Sequence, residues 1–292
     1  MGGYFKIIMS EYNATSNFLQ GSKYNIELTL YRDNANGLVT LPSCVTIGIY
    51  QVGTNILQET MNLCLDNCFS TNTGQVNNIL LGDPCYSPNP LDLNVEEGKY
   101  TCFTTVFLPN YSSGYYVQYQ TCCRSGLVTN LSDSNNKGIS IFAMIPDPSI
   151  GINSSPYFLD YPNDAYLCVN NTKSFSWQVI DPDGDSLVYS LVPPLDEAPN
   201  PISSTDTGPG SGTYPFYSPL SYSNGYSHQN IVGNNGTGTP SMSIDSLTGI
   251  ITARPSIIGY FSFSIRVEEY RGGIKIGEIR GDLLYKSEPC IV

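Results

Sequence analysis

The sequence predicts an all-β protein built as two β-sandwich domains in tandem with long loops. Three observations carry this. The composition is rich in Tyr (22), Gly (27) and Pro (20), while only 13% of residues are charged. Tyr and Thr favour pleated strands, and Gly, Pro, Asn and Ser favour turns. Apolar residues recur at period two over short runs, and no long stretch follows the 3.6-residue period of a helix. The chain has 292 residues, enough for two domains of ordinary size.

In chain order, residues 24–31 alternate cleanly, with Ile26, Leu28 and Leu30 on one face. Residues 33–37 read as a turn. Further strands are expected over 45–50, 100–107, 115–120 and 140–145. Residues 62–98 form a long loop region bearing Cys and Pro. The first domain is thus placed at 1–146 as a Cys-rich β-sandwich. Residues 147–156 are rich in Pro, Ser, Asn and Gly and read as a linker. The second domain, 157–292, has expected strands over 174–180, 187–191, 242–244, 250–253, 260–269, 274–276 and 279–285. Residues 245–249 make a turn, and 196–240 read as a long exposed insertion. Strands of this length separated by polar turns suit sandwich packing.

The charge balance is acidic, 25 Asp+Glu against 13 Lys+Arg, a net charge of −12. Nucleic-acid binding needs a basic footprint and is therefore not expected. No apolar run approaches the length of a transmembrane helix, so no membrane insertion is expected. No signal peptide is visible; an exported chain would be a mature segment from which the signal has been removed. Nine cysteines accompany a single histidine, His228, and no pair of CxxC motifs occurs. Disulfides in an oxidising, extracellular compartment fit this better than zinc. Cys168 opens the second domain and Cys290 ends it, so a bond between them would join its first and last strands. Adjacent Cys122 and Cys123 are each expected to pair elsewhere, among Cys44, Cys64, Cys68, Cys85 and Cys102, with the connectivity open.

The run Asp181-Pro182-Asp183-Gly184-Asp185 carries the sharpest chemistry. Carboxylates at every second position turn several oxygens toward one point. That suits a hard cation such as Ca2+, which takes about six to eight oxygen ligands. Glu268 or Glu269, and Asn153 or Asp147, are candidate completing ligands. Glu268 and Glu269 are strand neighbours and face opposite sides, so only one enters a site or the core. The alternative is a β-turn in which the Asp side chains cap backbone N–H groups. The run is not an EF-hand, since its twelfth position is Val192.

Tyrosines cluster at 111, 115, 116 and 119, where strand packing explains them. A second cluster, Tyr214, Tyr217, Tyr222 and Tyr226, lies among Ser, Gly and Asn. These are the candidate ligand contacts, as an adhesive or glycan-stacking surface, with loop anchoring as the alternative. His228 has no nucleophile elbow near it, and no catalytic residues are assigned.

Several strings, in order, carry a resemblance: Gly2-Gly3-Tyr4-Phe5; the run from Tyr24 to Asp33; Tyr119-Gln120-Thr121-Cys122-Cys123-Arg124; Asn153 to Phe158; Asp181 to Leu191; Val267-Glu268-Glu269-Tyr270-Arg271; and Pro289-Cys290. Together they resemble the N-terminal region of the large surface proteins of gliding Bacteroidetes, the SprB-like gliding-motility adhesins. The resemblance implies export by type IX secretion and display at the cell surface, with the rest of a larger protein as the chain's partner. That family usually reads Leu-Tyr-Arg-Asp-Cys where this chain has Asn34, which accounts for an odd cysteine. The second half, through Asp181 to Leu191 and Ser243 to Ile251, resembles a cadherin-like immunoglobulin sandwich. Asn153 before Pro156 resembles a cadherin linker, whose polar residues help bind calcium. The function expected is a non-enzymatic structural or adhesive module in surface adhesion or gliding, contacting glycans or substratum. The alternative is a carbohydrate-binding module of a secreted polysaccharide-degrading enzyme.

Overall fold

The structure, a computed structural model, describes residues 2–290 apart from 36, 38, 66–75, 82–93, 163, 198–217, 235 and 237. Among the described residues it is all-β, with two short 3-10 turns and no α-helix. Strands β1 (Gly2–Ser16) and β2 (Leu19–Asp33) form a long hairpin. Strand β3 (Cys44–Gln51) pairs with β4 (Leu57–Cys64). Next come β5 (Val76–Leu80), β6 (Asn94–Tyr100) and β7 (Val106–Pro109); β6 and β7 both lie along β2. Strands β8 (Tyr115–Thr121) and β9 (Ile139–Ile145) pair antiparallel.

The second half begins with the short strands β10 (Tyr157–Phe158), β11 (Tyr166–Cys168), β12 (Lys173–Ser176) and β13 (Val179–Ile180). Strands β14 (Ser186–Val192), β15 (Met242–Ile244), β16 (Ile250–Ala253), β17 (Gly259–Arg271) and β18 (Ile274–Glu288) complete it. The main sheet runs β4-β3-β8-β9-β18-β1-β2-β6-β5, with β17 on β18 and β14 on β17. Strands β12, β16 and β15 make a second sheet, and β10 pairs with β13.

Local sequence explains the longest elements. In β2, Tyr24, Ile26, Leu28 and Leu30 are all buried, the one-sided alternation of a core strand. The β17–β18 hairpin turns through Gly272 and Gly273, both at positive φ (57° and 81°). A two-residue turn of that hand matches the strand twist and takes positive φ at both places, which glycine adopts without strain.

The core and the main sheet both cross the 147–156 segment. One buried cluster holds Phe5 and Leu28 together with Phe158, Trp177 and Tyr285. Strand β18 bridges to β9 at Ile279–Ala143 and to β1 at Gly3–Asp282. Residues of the segment are packed: Asn153, Ser154 and Ser155 are buried. The Ile7 N–H donates to Ser155 Oγ (3.0 Å), and Ser155 N–H returns a bond to the Ile7 carbonyl (2.8 Å). Arg124 adds a polar clamp. Its Nη1 donates to Asp282 Oδ1 (3.1 Å) and Ser262 Oγ (3.2 Å), its Nε to the Gly138 carbonyl (2.9 Å), and its Nη2 to Asp282 Oδ2 and the Leu195 carbonyl.

Several element expectations are corrected. The 62–98 region is not all loop: it holds the end of β4, all of β5 and most of β6. The expected strand over 100–107 breaks between β6 and β7, and that over 174–180 splits into β12 and β13, in different sheets. The two runs 274–276 and 279–285 are one strand. Gly277 interrupts their apolar pattern, yet it continues the ladder opposite Glu269. The 196–240 stretch is not wholly exposed, because Leu220, Ile231 and Val232 are buried.

Candidate metal centre

The Asp181–Asp185 turn abuts the buried face of the 147–156 segment, and strand β17 brings a third acidic group. Asp181 Oδ1 accepts from the N–H groups of Asp183 (3.0 Å) and Asp185 (2.9 Å), which fixes the turn. Gly184, at φ 81°, lets the chain reverse there. Asp183 Oδ2 accepts from the Ser154 N–H (2.6 Å), tying the turn to the segment. Thus the capped-turn reading and the acidic cluster coexist: Asp181 Oδ1 and Asp183 cap backbone, and the remaining oxygens converge.

Glu269 supplies the core-facing carboxylate. It is 1% exposed, whereas Glu268 faces Lys275 (2.6 Å) on the other side of the strand. Oxygens of Asp181, Asp185 and Glu269 lie within 4.8 Å of one another. Two oxygens bound to one calcium ion at about 2.4 Å are at most about 4.8 Å apart, so one cation can span the group. Two of the buried oxygens, Asp181 Oδ2 and Glu269 Oε1, have no hydrogen-bond partner. Burying such an atom unpaired is costly, and either a proton held between the carboxyls or a bound cation would satisfy both.

Burial, reinforced by the Asp181 charge, pushes the Glu269 carboxyl up to about 8, while the Asn153 side-chain hydrogen bond opposes this. Burial also raises Asp181, against the backbone N–H bonds that lower it. The surroundings therefore disfavour full ionisation of the cluster unless positive charge is supplied. Arg271 supplies part of it. Its Nε and Nη2 grip Asp185 (2.9 and 2.5 Å), and Nη2 also donates to Asn153 Oδ1 (2.6 Å). Gly277 makes room: a Cβ there would come within 2.3 Å of Glu269 Oε2.

The structure thus gathers Asp181, Asp185, Glu269 and Asn153. It keeps Asp183 at the rim, bonded to backbone. Asp147 is not part of the group: its Oδ1 accepts from the Ser149 N–H (3.0 Å) and the Tyr111 N–H (3.2 Å), capping the turn after β9. The carboxylate serves the local backbone because Pro148 starts a 3-10 turn directly after it. Arg271, Ser154 and Gly277 escaped the sequence reading. Their signal, a basic residue two places after Glu269 and a glycine across the strand, has meaning only once β17 and β18 are paired.

Three disulfides are present among the described residues. Cys168 joins Cys290, with Cα atoms 5.3 Å apart. Cys44 joins Cys64 across β3 and β4. There the Cys64 backbone bonds outward to Thr101, so the cysteines form a non-hydrogen-bonded cross-strand pair, the close one of the two pair types. Cys122 and Cys123 are bonded to each other, a correction to the expectation that each pairs elsewhere. Cys44 and Cys64 are already committed across their own ladder. Cys68 and Cys85 lie outside the described residues.

Tyr222 and Tyr226 turn into the protein. The Tyr222 ring packs with Val128, Leu131 and Leu220, and the Tyr226 ring lies 6.2 Å from that of Phe261. Both rings therefore anchor their loop, while Tyr214 and Tyr217 lie outside the described residues. Tyr115, Tyr116 and Tyr119 are buried strand residues. No helix among the described residues is long and apolar enough to cross a membrane. Compared with models of protein families, with curated proteins and with solved structures, the chain matches none.

Proposed function

We propose that this chain is a non-catalytic, cross-linked structural and adhesive module of a larger exported surface protein, and that Ca2+ bound by Asp181, Asp185 and Glu269 stiffens it. The observation that carries the cation is the convergence of three carboxylates with two buried, unpartnered oxygens. The position of the cluster gives the ion a mechanical role. Asp183 holds Ser154, Arg271 holds Asn153, and Ser154 and Ser155 hold β1. An ion there ties the hairpin of the second half to the first strand of the chain. The disulfides, which suit an oxidising compartment, support the exported setting, as does the resemblance to gliding adhesins.

Thermal unfolding of the oxidised protein with calcium and with chelator tests the cation. A ligand that binds only the native state raises stability by RT ln(1 + [L]/Kd). The expected result is a concentration-dependent rise that Asp181→Asn abolishes. An unchanged transition in calcium would leave the loop a capped turn and remove the ion from the proposal. For the adhesive role, the fragment on beads should retain them on surfaces under flow; beads that wash off like blank ones would reduce it to a spacer.

A further inference from the structure

The β1–β2 hairpin ends in a turn that chemistry alone would not choose. Asn17 and Phe18 both have positive φ (48° and 67°), the geometry of a type I′ turn. Gly is the usual residue at the second position, because a side chain there is strained. Here that place holds a phenylalanine whose ring is fully exposed, at 103% relative accessibility. No packing offsets the strain, so Phe18 is an outlier of the kind that marks a functional position.

The residues on either side of Phe18, Asn17 and Leu19, line a cleft of about 900 Å3. That is within the roughly 300–1,000 Å3 of small-ligand sites. It is lined by the hairpin end, by β3 and β4, and by Thr104 to Phe107 with Pro109. The Cys44–Cys64 bond cross-links the two strands β3 and β4. The chemistry of the lining is narrow. Hydroxyls and amides come from Ser16, Thr46, Gln58, Thr60, Thr104 and Thr105. Among the described lining residues Glu59 is the only charged one. A phosphate, sulfate or uronate would find no cation there. Phe107 and Leu19 add apolar surface beside the hydroxyls. Paired donor-acceptor groups next to apolar faces complement a sugar, which presents hydroxyls at its edge and C–H groups on its faces.

We infer that this cleft binds a neutral glycan, with Phe18 as an aromatic contact at its rim. The inference concerns a different part of the molecule from the metal centre and does not depend on it.

The test is binding of the full oxidised chain, by titration calorimetry, to neutral oligosaccharides (cello-, manno-, xylo- and malto-series), polygalacturonate, heparin and an extended Ser/Thr-rich peptide. Each is measured with calcium and with chelator. Binding to a neutral series, retained in chelator and weakened at least ten-fold by both Phe18→Ala and Thr60→Trp, is the expected result. Both positions are exposed, so an unchanged unfolding midpoint would separate loss of binding from loss of fold. Failure of the folded protein to bind any neutral glycan would overturn the inference. So would preference for the polyanions or the peptide, or binding indifferent to both substitutions. Binding that vanishes in chelator and ignores both variants would place the sugar at the acidic cluster, and would equally overturn the cleft.

Discussion

Replacing Glu269 by Gln isolates what the buried carboxylate does. In the folded chain its carboxyl is pushed from 4.5 up to about 8. Below the unfolded value both states hold the proton, and the group's contribution to stability is fully present. Between the two values the folded chain keeps a proton that the unfolded chain has released, so stability falls as pH rises. At about 1.4 kcal/mol per pH unit, the loss completed above the folded value is at most about 5 kcal/mol. The Gln variant has no such proton. In chelator its profile should be flat where the parent declines, so that the two diverge through the neutral range, and at about pH 9 the variant is the more stable by a few kcal/mol. Calcium should narrow that gap. At about 100 times its Kd the ion adds about 2.7 kcal/mol to the parent and almost nothing to the variant. Urea unfolding followed by the fluorescence of Trp177, the only tryptophan and 3% exposed, reads both effects. Superimposable pH profiles of parent and variant in chelator would refute the electrostatic reasoning.

Three further outcomes follow from the packing. Asp282→Asn leaves the Arg124 guanidinium buried without its counter-charge and should cost about 3–5 kcal/mol in urea unfolding; a loss below about 1 kcal/mol would show that the clamp carries little. Cys168→Ser opens a loop of 122 residues and should cost about 2–5 kcal/mol. Non-reducing peptide mapping of the parent must first recover the Cys168–Cys290 linkage, and its absence would end that assignment. Phe18→Gly relieves the left-handed phenylalanine and should raise stability by about 1 kcal/mol; destabilisation would mean that the ring makes contacts its exposure does not suggest.

The all-β class was legible in the sequence because period-two burial and turn residues are local properties. Tyr24, Ile26, Leu28 and Leu30 could be placed on one face without knowing what lay beyond it. Asp181 and Asp185 were legible for the same reason, since their spacing is set within one turn. Glu269 shares its face with Phe261, Phe263, Ile265 and Val267, all buried, so the alternation of β17 already favours it over Glu268; what it meets across that face is decided by the tertiary structure. Gly277 broke the apolar pattern of β18, and its role opposite Glu269 depends on a register between residues eight apart across a hairpin turn. Arg271 was invisible as a partner because its reach to Asp185 spans 86 residues.

The same division holds for the chain as a whole. By itself the sequence determined the strand-rich class, the acidic charge and the turn that presents Asp181 to Asp185, all products of short-range preference. Only the tertiary structure decided that β18 lies between β9 and β1, that the 147–156 segment is packed against β1, and that two half-buried carboxylates meet the buried Glu269. Those outcomes depend on which distant surfaces bury one another, and hydrophobic burial is non-directional: it rewards contact without specifying the partner.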